Sequence, residues 1–587
     1  MPEKELEYIR SNEAAGSDEK NGGVYVDAFE KSLAKESGWT KFKNGFKPYE
    51  QEELGLDPNL TDVEKMAIMT ANSPLSRSLK NRHLQMIAIG GSIGTGLFIG
   101  SGSVLSTGGP GGVLIAYCLI GSMMYCTVQS LGELAITFPV AGAFVTYNTR
   151  FIDPSWGFTM AWNYAMQWLV VLPLELVAAA VTIQFWPNDI NPVAWVAIFY
   201  VLILSINFFG VRGYGEAEFI FSLIKVLAVI GFILFGIIVS AGGGPNHHYY
   251  GAHYYHDPGS FANGFKGVCS VFVTAAFAFA GTELVGLAAA ETNNPRKSLP
   301  KATKQVFWRI TLFYVVSLVL VGCLVPYTDP RLGLGSSSVD ARASPFVIAI
   351  KNQGISGLPS VMNVVIMIAV LSVGNSSVFA SSRTLAALAC AGHAPKFLGY
   401  IDRAGRPLWG IVVQLLFGLL CFLAASSKRF TVLNWMLALS GLSSVFTWMS
   451  INICHIRFRR ALTAQGRDTS EITYTSQVGV IGAYYGAILN FLVLVAQFWI
   501  AVWPLGEKPN AEAFFMSYLG FVVIIFFYII HKVFWARNFN IFIRAKNIDI
   551  DTGRRELDLE LVKQEIAEEK AHIAAKPFYA RIYHFWC

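Results

Sequence analysis

Four ionisable side chains sit inside otherwise apolar stretches of this sequence. Lys225 lies in SLIKVLAV, Glu175 in VLPLELVAAA just after Pro173, Glu283 in GTELVGLAAAE and Glu133 in SLGELAITFP. A charge at the depth of a bilayer costs roughly 2.5–3.5 kcal/mol on insertion scales, so each needs a partner or a task. Lys225 and Glu283 are candidates for proton coupling, being groups able to lose and regain a proton in a site shielded from water. Snorkelling is a weak account of Lys225, because its span starts seven residues earlier, near residue 218. Glu175 reads either as a pocket residue or as a partner in an interhelical hydrogen bond. Glu133 reads as an interfacial residue at the end of its span. In SVGNSSVFASSR (372–383) the polar groups serve either as glue between helices or, at Ser372, Asn375, Ser376 and Ser377, as part of an ion or proton site.

A second signal is backbone rather than side chain. HLQMIAIGGSIGTGLFIGSG (83–102) has spanning length but carries six glycines, each costing a helix interior roughly 0.5–1 kcal/mol relative to alanine. Two readings compete. Small residues let a neighbouring helix approach closely, through Gly90, Gly94 and Gly100. Alternatively the span is interrupted at Ser92-Ile93-Gly94-Thr95-Gly96, which frees peptide groups to meet a ligand, a state tolerated at membrane depth only in a protein-lined cavity. VFVTAAFAFAGTELVGLAAAE (271–291) favours the second reading. It is interrupted in the same way around Phe277, Phe279, Ala280, Gly281, Thr282 and Glu283. Half-helix amino termini favour an anionic group and freed carbonyls a cation, and an α-amino acid zwitterion carries both.

The elements that position these groups are membrane helices. The 587 residues are 53% hydrophobic and 14% charged, against about 25% charged in soluble chains, and the mean hydropathy is +0.46. Apolar runs of about twenty residues predict an all-α polytopic membrane protein; a β-barrel would show alternating segments of about ten. Twelve spans are expected at 85–106, 112–138, 157–185, 193–210, 218–241, 268–290, 306–327, 358–389, 408–426, 431–455, 478–503 and 513–535. The interrupted spans are 1 and 6, each the first of a group of five. That predicts a five-plus-five inverted repeat with discontinuous helices 1 and 6, the arrangement in which transporters place a site. The domain reading is a tail over 1–82, a twelve-span unit over 83–535 and a second tail over 536–587. Within the unit the repeats cover 85–241 and 268–455, and the extra spans 478–535. The second tail contains DTGRRELDLELVKQEIAEEKAH (551–572), whose apolar spacing predicts a short helix.

An even span count puts both tails on one side. Loops on that side carry fifteen Lys/Arg: Arg150, Arg212, Arg296, Lys297, Lys301, Lys304, Arg309, Arg383, Lys396, Arg403, Arg406, Arg457, Arg459, Arg460 and Arg467. The opposite loops carry seven, so both termini are expected to be cytoplasmic. No secretory signal opens the sequence, and residues 1–82 are polar. No N-x-S/T acceptor falls in an expected external loop, and PNHHYYGAHYYHDPG (245–259) reads as a polar, aromatic external loop. The eight cysteines include no C-x-x-C pair and read mostly as small core hydrophobes. There is no nucleotide-binding Gly-Lys-Ser/Thr loop, metal-ligand spacing or nucleophile motif, so no enzyme, metal, cofactor or nucleic-acid partner is expected.

NRHLQMIAIGGSIGTGLFIGSG, GVRGYGEAEFIFSLIKV, FAFAGTELVGLAAAETNNPRKSLPKATKQVFWRI and LSVGNSSVFASSRTLAALA resemble the fungal amino acid permeases of the amino acid–polyamine–organocation superfamily, over roughly residues 75–587. The resemblance implies a five-plus-five repeat with two extra spans. It also implies plasma-membrane import of L-amino acids with protons, of broad range, driven by the proton gradient without a cofactor. It further implies that the Thr95 hydroxyl and the amides around Gly94 and Gly96 take the substrate carboxylate. Carbonyls near Ser92, Phe277 and Ala280 would take the ammonium, and Phe277 or Phe279 would supply an aromatic lid. Lys225 would stand on span 5 beside broken span 1, where other members of this fold bind sodium. Exposed lysines such as Lys4, Lys20 and Lys31 are candidate acceptors for ubiquitin ligase machinery. Cys587, in the terminal FWC, is a candidate lipidation site although it is no C-a-a-X box. Two rivals remain: a non-transporting amino acid sensor on the same scaffold, and a proton-independent exchanger.

Overall fold

The computed structural model describes residues 44–48, 75, 79, 81–91, 93–140, 142–187, 189–292, 295–332, 344–425, 429–506, 508–537, 540–554 and 577. Ser92, Cys587, the three tail lysines and most of the stretch expected as a tail helix lie outside these residues. Among the described residues nine stretches are long and apolar enough to cross a membrane, and Pro192–Phe208 and Leu408–Leu423 are shorter apolar helices. One of the nine, Gly96–Thr137, holds two spans folded back at Gly109-Pro110, which makes twelve. The fold at Gly109 has a plain cause. Its φ is +72°, and a Cβ there would lie 2.6 Å from the Ser260 carbonyl oxygen; Pro110 then has no amide to continue the helix.

The order of elements repeats. Broken span 1 and span 2 are followed by the short helix Phe144–Phe151, then by spans 3 (Pro154–Ile183), 4 (Pro192–Phe208) and 5 (Gly210–Ser240). Broken span 6 and span 7, which ends at Leu324, are followed by the short helix Pro345–Lys351, span 8 (Leu358–Cys390), span 9 (from Leu408) and span 10 (Arg429–Ala464). Spans 11 (Gly479–Val502) and 12 (Ala511–Ile530) follow. Proline in the first turn opens spans 3 and 4, where its missing amide has no helical partner in any case. Asp153 caps span 3 by accepting the Ser155 and Trp156 amides at 3.0 and 3.2 Å, and Asn191 caps span 4 through the Val193 amide at 2.9 Å. Such a cap contributes about 1 kcal/mol.

Burial sorts the spans. In the most apolar window of spans 3, 6 and 8, 83% of residues are buried within the protein, against 17% in span 12. Spans 3 and 8 pack against each other at the centre. Leu227 and Leu234 on span 5, Ile488 and Phe491 on span 11, and Phe526 and Ile529 on span 12 face outward, as lipid-facing side chains do.

At the end of the bundle nearest the chain termini, residues 540–554 form a strap. The Ile543 amide donates to the Ile152 carbonyl at 3.0 Å, Arg150 donates to the Thr552 carbonyl at 2.7 Å, and Arg457 bridges the Phe151 and Ile543 carbonyls. Its Ile548 and Ile550 side chains are buried. Arg467 holds both Asp551 and Glu471 at 2.6 Å. That hydrogen bond to Arg467 keeps the Glu471 carboxyl below the usual glutamate range. A depressed carboxyl stabilises the strap above its unfolded value and loses that contribution as pH falls through the folded one. Amide exchange across 543–552 is therefore expected to be flat from neutral pH down to about 5 and to rise only below about 4. Arg467→Gln should raise it already at neutral pH. Unchanged exchange in that variant would show that the strap does not depend on this ion pair.

Candidate functional site

Two helix ends meet at the middle of the bundle. The first half of span 1, Asn81–Gly90, stops at Gly91, and the chain resumes helix at Thr95. Span 6 stops at Phe279. Ala280 turns to extended backbone (ψ 140°), Gly281 takes φ +95°, and helix resumes at Leu284. A Cβ on Gly281 would lie 2.7 Å from the Gly91 carbonyl oxygen, one on Gly96 would lie 2.4 Å from the Ala278 Cα, and one on Gly94 would meet Val373 at 2.4 Å. The two readings of the glycine cluster thus hold together: the backbone is broken, and the broken ends fit only because side chains are missing.

Two adjoining cavities open beside these breaks. The first is lined by Thr95, Gly96, Gly100, Leu174, Thr274, Phe277 and Leu437. The second is lined by Gly94, Thr95, Gly96, Trp168, Val171, Glu175, Phe277, Ala280 and Val373. Both are narrow in this state. Six of the residues singled out from the sequence line them: Gly94, Thr95, Gly96, Glu175, Phe277 and Ala280. Ile93 is buried beside them. The Thr95 hydroxyl donates to one oxygen of Glu175. The other oxygen of this buried carboxyl has no hydrogen-bond partner among the described residues. Glu175 is therefore at once a cavity residue and an interhelical partner.

Phe279 does not line the cavities. Two residues past Phe277 on the same helix, it turns away and stacks on Tyr314 at 4.2 Å and against Tyr117 at 5.9 Å, leaving Phe277, with Trp168 in the second cavity, as the aromatic wall. Those two tyrosines hold the broken ends from behind. Tyr314 donates to the Ala278 carbonyl at 2.8 Å and Tyr117 to the Gly96 carbonyl at 3.3 Å.

Lys225 and Glu283 do not touch one another; each has other partners. Glu283 accepts the Gly281 amide at 3.2 Å, the Trp448 indole at 3.2 Å and the Tyr164 hydroxyl at 3.4 Å, so it ties the break of span 6 to spans 3 and 10. Thr282 hydrogen-bonds back to the Phe279 carbonyl at 2.7 Å and accepts from Arg309 of span 7. Lys225 lies 3.6 Å from Glu218, one helix face below it, and donates to Ser372 at 2.7 Å. Ser376 joins Glu218 at 3.5 Å and Tyr214 at 3.2 Å. Ser377, one residue on, only bonds back to the Gly374 carbonyl at 2.7 Å, and Asn375 accepts from Asn207 at 3.0 Å.

Several charges assigned to loops or interfaces are interior. Glu133 is fully buried, bound by Arg459 at 2.7 Å, His455 at 3.0 Å and the Ser476 amide at 2.7 Å. Arg309 is buried against Thr282, and Arg383 against Glu291 at 3.1 Å while lying 3.8 Å over the Phe379 ring. Arg150 is buried under the strap. Sequence reading missed Glu218, Tyr164 and the polar role of Trp448. Only Glu218 left a signal, a carboxylate two turns from Lys225 on one helix face.

The amino acid permease family model matches residues 83–543. The chain belongs to the amino acid permease family. It is 71% identical over 590 aligned positions to the general amino-acid permease GAP2 of Candida albicans, covering 100% of both chains. It is 58% identical over 557 positions to the general amino-acid permease GAP1 of Saccharomyces cerevisiae, covering 94% of this chain and 92% of that one. It is 52% identical to the tryptophan permease of the same yeast, covering 88% and 87%. This permease is an amino acid transporter.

Proposed function

We propose that this permease imports L-amino acids of broad side-chain range across the plasma membrane together with protons, by alternating access around the two breaks, with both termini cytoplasmic. One observation carries the reading: two opposed helix ends meet at Gly91 and Gly281 beside cavities that hold an aromatic wall and a carboxylate oxygen with no hydrogen-bond partner among the described residues.

The outer half of span 1 begins at Thr95, so its first amides, around Gly94 and Gly96, face the cavity with the positive end of a helix dipole and suit the substrate carboxylate. Span 6 reaches the cavity from the other direction. Phe272–Phe279 ends there, with its negative end and the Glu175 carboxylate suited to the ammonium. Thr95 donates to Glu175 in this state, so its hydroxyl must turn for it to reach a bound carboxylate. Phe277 closes the cavity against the apolar part of the substrate. Because the backbone reads only the zwitterion, side-chain range is left to Leu174, Thr274 and Leu437 around the first cavity. The names of the two general permeases agree with a broad range, and that of the tryptophan permease with a narrower setting of the same site. The proton gradient is the driving force, no cofactor takes part, and ubiquitin ligase machinery acting on the amino-terminal lysines would set surface residence.

One proton carried with a neutral substrate across 100 mV is worth about 2.3 kcal/mol, a roughly fifty-fold accumulation. In a host lacking its own amino acid uptake, a labelled amino acid should accumulate, several side-chain classes should compete with it, and a protonophore should collapse the gradient. Binding without uptake would make the protein a sensor. Uptake indifferent to the protonophore would make it an exchanger.

A further inference from the structure

We infer that Glu218 is the inward proton acceptor of the cycle and that the Ser372 hydroxyl carries the proton to it from Lys225. This rests on the proton-coupled reading above. Lys225, Glu218 and Ser372 are all fully buried. Lys225 Nζ donates to Ser372 Oγ at 2.7 Å, and Ser372 Oγ donates to the two Glu218 oxygens at 2.8 Å each. That is an unbroken donor–acceptor chain between two helices. A proton crosses it in one exchange: an N–H bond of Lys225 breaks as an O–H forms on Ser372, whose own proton forms an O–H on Glu218. Ammonium and carboxylate become amine and carboxylic acid, so no net charge is created in a dry site, where an unpaired one is costly.

The release path is set by position. Glu218 stands seven residues before Lys225, about 10 Å along the helix, towards the end that carries the chain termini. Ser376 and Tyr214 extend the hydroxyl chain from Glu218 in that direction. The seal on the site is the inner half of span 1. Ser222, which donates to Glu218 at 3.2 Å, also reaches the Met86 carbonyl of that half at 3.1 Å. Moving the inner half away breaks this contact and exposes Glu218 to water, which takes its proton as hydronium. Lys225 is reprotonated from the outside in the next cycle. Among the described residues the charged and titratable groups around the relay are few. They are Lys225 and Tyr214 on span 5, Glu175 of span 3 facing Lys225, and the Arg383–Glu291 pair of spans 8 and 6 beside Tyr214. His83 on the inner half is occupied by Glu216 at 3.0 Å.

The full chain in proteoliposomes with an internal pH dye tests this, by comparing acid-driven accumulation, substrate-induced proton entry, and exchange of labelled for unlabelled amino acid at equal pH. Glu218→Gln should lower the ratio of accumulation to exchange at least about tenfold, out of the roughly fifty-fold that one proton supports at 100 mV, and proton entry should fall with it. Ser372→Ala should do the same, and Ser372→Thr, which keeps the hydroxyl, should restore the ratio. A merely structural role would lower accumulation and exchange in proportion. An unchanged ratio in Glu218→Gln and Ser372→Ala overturns the relay, and if Glu218→Gln does not insert, the Ser372 pair decides alone. A parent chain that moves no protons with substrate overturns the proton-coupled reading itself, a result distinct from a coupled parent with coupled variants.

Discussion

Replacing Gly281 with alanine is expected to abolish uptake while the protein still reaches the membrane. At φ +95° an L side chain is strained, by roughly 1–2 kcal/mol for left-handed backbone. The larger effect is contact: the new Cβ would sit 2.7 Å from the Gly91 carbonyl oxygen. That neighbour is backbone, so no rotamer change relieves the overlap and the two breaks must part. A shift of about 1 Å in a site that works by positioning can cost a hundredfold, and uptake normalised to surface protein should fall by at least that much. Gly231→Ala is the control. It lies on the exposed face of span 5, and a Cβ there meets nothing within 4 Å, so uptake should stay within about twofold, as for most surface changes. Half of parental uptake in Gly281→Ala would mean that the meeting of the breaks is not needed for transport.

Glu283→Ala is expected to remove both uptake and much of the stability. The carboxylate accepts from the Gly281 amide, the Trp448 indole and the Tyr164 hydroxyl, and alanine leaves these buried donors without it. An orphaned buried donor costs about 1–3 kcal/mol, so the loss amounts to several kcal/mol, large against the stability of a folded protein. Glu283→Gln keeps one acceptor oxygen but turns an amide N–H₂ towards donors, and should fall in between. The decisive readout compares Glu283→Gln in accumulation and in exchange, alongside thermal unfolding in detergent. A residue that holds the break lowers both activities together. Selective loss of accumulation would place Glu283 on the proton path.

Much of the fold was legible because lipid imposes a one-dimensional rule. Every backbone polar group must be satisfied within its own helix, so apolar length marks the spans, and runs such as 219–241 leave little choice. The breaks were legible for the same reason, since glycine inside such a run needs an explanation. Competing readings could not be separated at Gly94, because packing against Val373 and an open backbone predict the same residue. The interior charges were misread for a related reason. Arg309 and Arg383 lie near span ends, where positive charge is ordinary, and nothing local says that Thr282 and Glu291 wait for them across the bundle.

What the sequence determined by itself was the set of helices, the two places where they break and the family, because hydropathy and glycine content are properties of consecutive residues. Only the tertiary structure decided which side chains face one another. Phe277 lines the cavity and Phe279 stacks on Tyr314, Ser376 reaches Glu218 and Ser377 bonds its own helix, and Lys225 meets Glu218 rather than Glu283. A step of one residue turns a side chain by about 100° around the helix, and the rotation of each helix is set by what packs against it.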